Sequence, residues 1–506
     1  MGQLAQRATN ATRRFGRRAI APRITDEAWR GQALAVAAAL GLMVFMVRVL
    51  GGGWEKKFKI FFPDSFSFIK VAKQTPFSFA FYASERPVGF PTLIFLMGRS
   101  VVVTVVAQTL LYGIVYIAAV AVAMKLLARR ESRVLCGFII VLLAIEPKFA
   151  IWNTHILSES LGISLAVTTV LLWWRFSAEP STRRLNWAGA ATIGWLATRD
   201  SNVPPWAAVG VPALLLAGWL WKSADIELRK RLRIWGALTL AVCIGIGFAQ
   251  ASNGRDRYAT INNVGTRVLT DKELTSWFVD QGMPLDAALV KRTGSDSFQN
   301  SWDMLRSPDL ANFRHWADNG GQRTMLISYV RFAPHYISLL YDNLPSVLSY
   351  RMEAYDTFGV TARLPDPAPA ELAGPTTPVG LLVWTILAAA SLVLAFVRGR
   401  RVQAVVLGLL LLSSFADLYL AFVGDSVEVL RHMVGPLARM SLIMIVCVCI
   451  GFDALLEIVA GRPLRRRSMA SDTTADATLG AADGAVEEGD GEPEAENERL
   501  TVEAVP

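Results

Sequence analysis

Asp64 stands in the stretch FFPDSFSFIKVAKQTPFSFAFYASERPVGFPTLIFLMG, residues 61–98, which follows one apolar run and precedes another. Lys70, Lys73, Glu85 and Arg86 come after it, and a Pro/Gly turn, RPVGFP, leads back into apolar sequence. A carboxylate close to lipid and partly desolvated has a raised pKa, which suits it to take a proton from a hydroxyl. The plainer reading is a solvated acid, or an N-cap for a helix starting near Ser65. Arg199, Arg431 and His432 stand at the mouths of other apolar runs, and Arg86 is a further cation of the same kind. Arginine offers a planar fork that matches a phosphate. The alternative for arginine at such a place is snorkelling to head groups. Glu159 lies just inside an apolar run, where an unpartnered acid is costly. His155, four residues earlier, shares its helical face if the helix begins that early. No third ligand accompanies the two, so a hydrogen-bonded pair is expected in preference to a metal site.

These groups need elements to carry them, and the composition says which kind. The chain has 506 residues, 53% of them hydrophobic, with a mean hydropathy of +0.37. Continuous apolar runs of about 20 residues point to an all-α, multi-pass membrane protein, whereas barrel strands read as short alternating segments. Ten spans are expected, over about 33–51, 100–124, 134–151, 156–174, 187–199, 203–221, 234–250, 377–397, 402–423 and 433–458. The fifth is short, and the third contains Glu146, Pro147 and Lys148. Every second loop is a compact basic cluster, so both termini are expected to be cytoplasmic in the plasma membrane. On that layout Asp64, Glu159, Arg199 and the loop 424–433 all reach the outer face.

The chain then divides into a basic N-terminus (1–32) and a first transmembrane module (33–250) with an outer loop at 52–99. An outer or interfacial region (251–376), a second module (377–460) and a basic, then acidic tail (461–506) follow. Residues 271–292 read as two short helices broken at Gly282 and Pro284, and 325–348 as an interfacial or re-entrant helix. The tail after Ser468 sets eleven acids against Arg499 and is expected to be disordered. Cys136, Cys243, Cys447 and Cys449 all fall in apolar runs and read as small buried hydrophobes. There is no P-loop, GxGxxG fingerprint or zinc motif, and nothing points to nucleic acid. Energy for a reaction must come from an activated substrate in or outside the membrane.

The motif order resembles the GT-C superfamily of integral-membrane glycosyltransferases. FFPDSF carries an acid after the first span, and ERPVGFP resembles the RPPGYP run of that family's first loop. HILSESLG (155–162), ATRDSN (197–202) and GDSVEVLRHMVGPL (424–437) are similar to its later motifs, and the likeness covers roughly residues 33–460. The resemblance implies a GT-C-like bundle with a polyprenyl-phosphate-linked sugar donor and transfer on the outer face, usually with inversion. The acceptor would be a glycan, lipid or protein of the cell envelope, with membrane lipids around the bundle. Asp64 would be the base, and Arg199, Arg431, His432 and Arg86 would hold the donor phosphate. Glu159, His155 and Glu85 would orient the loops or the acceptor. No cofactor is expected, a divalent cation being the one left open, because Asp64 is followed by Ser-Phe and not by a second acid. His432 stands where the family has Tyr, and Ser160 where it has Pro. The rival functions are a polymerase or ligase of lipid-linked oligosaccharides, a transporter or flippase of lipid-linked glycans, and a scaffold subunit.

Overall fold

Among the described residues the long apolar runs become helices, because a backbone in lipid can satisfy its hydrogen bonds only internally. The computed structural model describes residues 62–76, 78–297, 299–349 and 372–461, and among these there is no strand. The chain divides into two units, Met1–Arg462 and Pro463–Pro506. The second unit, the basic N-terminus and the first expected span lie outside the described residues.

Short helices α1 (Pro63–Ala72) and α2 (Gly89–Leu96), with a single helical turn at Phe79–Tyr82 between them, precede the membrane bundle. The bundle consists of α3 (Val101–Leu126), α4 (Arg130–Ile145), α5 (Ser158–Ala178), α6 (Thr182–Leu196), α7 (Asp200–Leu220) and α8 (Ile226–Ser252). An intervening region follows with α9 (Arg255–Asn263), α10 (Lys272–Asp280), α11 (Gln322–Arg331) and α12 (Ala333–Ser349), and then come α13 (Pro378–Val397), α14 (Arg401–Gly424) and α15 (Val429–Val459).

Among the described residues seven helices are long and apolar enough to cross a membrane: α3, α5, α7, α8, α13, α14 and α15. Where the third span is expected, the helix is broken. α4 ends at Glu146–Pro147, and the chain continues through Pro147–Thr154 at an angle of 55°. Proline there removes an N–H and crowds the preceding turn. The fifth expected span is α6, whose 15 residues reach about 22 Å. That is shorter than a hydrocarbon core of about 30 Å.

α15 is the axis of the bundle and packs against α13, α14, α4 and α5. Its 31 residues extend about 46 Å, and Leu442–Cys447 are fully buried. About a third of the way along, Arg439 pairs with Asp417 of α14 at 3.3 Å and donates to the Ser413 carbonyl at 2.7 Å. Its guanidinium also lies 4.5 Å over the Trp195 ring of α6. At the far end, Asp453 accepts from the Ala128 and Arg129 amides and from Arg400, which fixes the start of α4.

The helices that reach the Asp64 cluster have their other ends in basic sequence. α5 runs from Glu159 to Arg175, α8 from Arg229 to Gln250, and α14 from Arg401 to Gly424. Among the described residues the region after α8 is largely helical as well. The expected break near Gly282 falls between Lys272–Asp280 and Ala287–Val290. The 325–348 stretch is two helices, α11 and α12, parted at Phe332.

Candidate functional site

Asp64 is the second residue of α1, not its cap; the Ser65 hydroxyl accepts from the Phe62 amide instead, at 2.9 Å. Its carboxylate is therefore available to distant partners. Arg86 Nη2 donates to Oδ1 at 2.5 Å, and Arg431 Nη2 donates to Oδ2 at 2.7 Å. Arg431 also donates through Nε to Glu159 Oε1 at 2.6 Å and through Nη1 to Glu428 Oε2 at 2.6 Å. One guanidinium thus joins three carboxylates from three parts of the chain. Beside it, Arg199 Nη1 stands 3.8 Å from Glu159 Oε1, and Arg199 Nη2 lies 2.8 Å from His432 Nδ1. Arginine has no acceptor, so this contact requires the Nδ1 lone pair, and His432 is neutral with its proton on Nε2.

Local folding explains how these groups meet. Asp64 and Glu159 each occupy the first turn of a helix, where unsatisfied N–H groups favour an anion. Arg431 and His432 open α15. Arg86 is braced by Ser67 Oγ at 2.6 Å and lies over the Phe68 ring at 5.0 Å. The RPVGFP turn docks on the end of α6, where the Gly89 amide donates to the Ala197 carbonyl at 2.8 Å. A Cβ at Gly89 would sit 2.8 Å from that same oxygen, so only glycine allows the approach. The contact sets Arg86 next to the Thr198–Arg199 turn.

Glu428 caps α15 with φ +54°, a left-handed conformation unfavourable for a side chain other than glycine. The loop before it is held from the α8–α11 region. Asn263 donates to the Gly424 carbonyl at 2.9 Å, and Arg267 donates to the Val423 and Phe422 carbonyls. Asn262 Nδ2 donates to Asp425 Oδ1 at 3.0 Å, as does the Val427 amide.

Six of the eight expected site residues converge: Asp64, Arg86, Glu159, Arg199, Arg431 and His432. Glu85 does not, because it pairs with Lys70 at 3.1 Å on the exposed surface. Nor does His155. α5 begins only at Ser158, so His155 lies in the extended turn before it and does not share a helical face with Glu159. Its Nδ1 is 3.2 Å from the Ile151 carbonyl, and its ring packs on Phe62 at 5.3 Å. Burial pulls its pKa down to about 4, against the Ile151 carbonyl and Glu159. Gln108 pins the same turn by donating to the Asn153 and His155 carbonyls at 2.7 Å. His155 is therefore part of the wedge that sets the start of α5.

The charge state of Asp64 departs from expectation. Burial pushes its carboxyl up, but the Arg431 and Arg86 guanidiniums overcome that push and bring the pKa down to about 2. Sequence reasoning foresaw the desolvation and missed the two cations. It also missed Glu428, which caps α15 three residues before Arg431 and pairs with it.

A cavity of about 580 Å³ opens beside the cluster. Arg86, Arg199, Arg431 and His432 line it, while Asp64 and Glu159 stand behind them. Apolar residues of α8, α11 and α14, including Ile246, Leu326 and Leu420, form other parts of its wall. Two acids also line it. Asp200 pairs with Arg255 at 3.4 Å. Asp425 has no ion pair among the described residues, and burial pushes its pKa up to about 6 against the Val427 amide and Asn262. Among the described residues no group of three or more His, Cys, Asp or Glu is arranged to hold a metal ion.

The apolar helices make this an all-helical membrane protein whose ionic cluster sits at one end of the bundle. Compared with known proteins, the chain matches no protein-family model and no curated protein.

Proposed function

We propose that the protein is a membrane glycosyltransferase. It takes a sugar from a polyprenyl-phosphate donor and passes it to a glycan, lipid or protein acceptor at the outer face of the plasma membrane, both termini being cytoplasmic. One observation carries the reading: Arg86, Arg199, Arg431 and His432 line a cavity that membrane helices wall with apolar side chains. A lipid phosphate needs both surfaces at one place. As the glycosidic bond breaks, negative charge grows on the departing phosphate. Guanidiniums already aimed by Asp64 and Glu159 meet that charge without reorganising. Arg86 Nη1 and Arg199 Nε make no hydrogen bond among the described residues and are available to phosphate oxygens.

Within this reading Asp64 anchors the arginines in the donor-free state. Paired with Arg86 and Arg431, it stays ionised and keeps both guanidiniums in place for the phosphate. The test is to incubate the purified protein with a polyprenyl-phospho-sugar and an envelope acceptor fraction, and to follow polyprenyl phosphate. Release that depends on both additions is expected; a protein that leaves the donor intact is not this enzyme.

A further inference from the structure

Of the acids around the cavity, Asp425 alone combines three properties. It lines the space directly, whereas Asp64 and Glu159 stand behind arginines. It has no cationic partner within ion-pair distance among the described residues, whereas Asp200 is tied to Arg255. Its position is fixed, because the Asn262 amide and the Val427 N–H both donate to Oδ1 at 3.0 Å. Oδ2 takes no hydrogen bond among the described residues. A base needs this combination: a held carboxylate with one oxygen free and no counter-ion to hold its charge.

We propose that Asp425 is the catalytic base of the transfer and that Asp64 remains the partner of Arg431 and Arg86 throughout. This rests on the glycosyltransferase reading. The acceptor hydroxyl gives its proton to Asp425 Oδ2 and its oxygen forms the new bond to the anomeric carbon. The bond from that carbon to the phosphate oxygen breaks, and its electron pair leaves with the polyprenyl phosphate, held by the arginine wall. The division is economical, since cation-bound acids make poor bases and an unpaired one makes a poor phosphate ligand. The charged groups that act on Asp425 are Arg267, which favours its ionised form, and Glu428, which opposes it. The elevated proton affinity of the half-buried carboxyl, with a pKa of about 6, agrees with the role and does not carry it.

The experiment uses the full chain in lipid nanodiscs. It measures binding of polyprenyl monophosphate, and release of that product from a polyprenyl-phospho-sugar in the presence of an envelope acceptor fraction. Asp425→Asn should bind the lipid phosphate as the wild type does and release it about 100-fold more slowly or worse. Asn262→Ala removes a hydrogen bond to the ionised form, so the acidic limb of the pH–rate profile should move to higher pH. Asp425→Glu should restore part of the rate with a displaced limb. If Asp425→Asn fails to fold, the limb shifts of the other two variants still decide the matter. Asp425→Asn turning over within about threefold of wild type, or unmoved limbs in both other variants, overturns the proposal and leaves the transferase reading standing. A wild-type protein that releases nothing takes down both.

Discussion

Arg431 donates a 2.7 Å hydrogen bond to Asp64 across 367 positions of sequence, and this contact joins the short helix α1 to the axis of the bundle. The same guanidinium holds Glu159 and Glu428, so α1, α5 and the loop before α15 are tied at one atom group. Truncating Arg431 takes the nearest cation from the buried Glu159 carboxylate, and breaking a buried ion pair typically costs about 3–5 kcal/mol. Arg431→Ala should therefore melt well below the wild type in detergent and bind no lipid phosphate. Arg431→Lys keeps the charge but cannot span three carboxylates, and it should fall between the two. Thermal unfolding followed by tryptophan fluorescence reads both.

The Asp64 carboxyl has a pKa of about 2 against an ordinary 3.8. A depressed carboxylate contributes stability that is complete above its unfolded value and lost as pH falls through its folded one. The melting difference between wild type and Asp64→Asn should hence be constant from neutral pH down to about 4. It should close between about pH 4 and 2. A difference that closes near pH 6 would mean that Asp64 is not ion-paired.

Arg439 and Asp417 form a buried pair inside the bundle, 3.3 Å apart, with Trp195 over the guanidinium. Removing either partner alone leaves a charge in an apolar interior at about 3–5 kcal/mol. Replacing both by leucine should recover most of that loss. Melting of the two single variants and the double variant tests this, and additive losses would contradict it.

Gly89 meets the Ala197 carbonyl so closely that an added Cβ would lie 2.8 Å from its oxygen. Gly89→Val should push the RPVGFP turn off α6 and carry Arg86 away from Arg199. Donor binding should weaken by about tenfold, or about 1.4 kcal/mol, while the melting temperature changes little, because the bundle behind the turn is untouched. Calorimetric titration with polyprenyl monophosphate measures the first, and a thermal melt the second.

Much of the bundle was legible because an apolar run such as Val101–Leu126 has few ways to exist other than as a helix. The shared sidedness of Asp64, Arg199 and Arg431 was also legible, since basic loops alternate along the chain. What the sequence hid was geometry at atomic scale. The low pKa of Asp64 depends on where two guanidiniums point, one of them 367 residues away. His155 left the expected face because Gln108 and Ser160 hold the turn that delays α5, a tertiary event without a local signal. The bend at Glu146–Pro147 was marked by proline, although its 55° angle was not. Asp425 lay in a motif whose later residues, Arg431 and His432, drew the chemical reading.

The central claim is that the arginine wall holds the phosphate of a polyprenyl lipid. Titrating the wild-type protein and Arg199→Ala with polyprenyl monophosphate and with the neutral polyprenol, read by native mass spectrometry, tests it most directly. The account predicts saturable binding of the phosphate by wild type, weakened at least about tenfold by Arg199→Ala, with polyprenol binding both proteins alike and weakly. Equal binding of phosphate and alcohol by the wild type, or full retention of phosphate binding in Arg199→Ala, would contradict it.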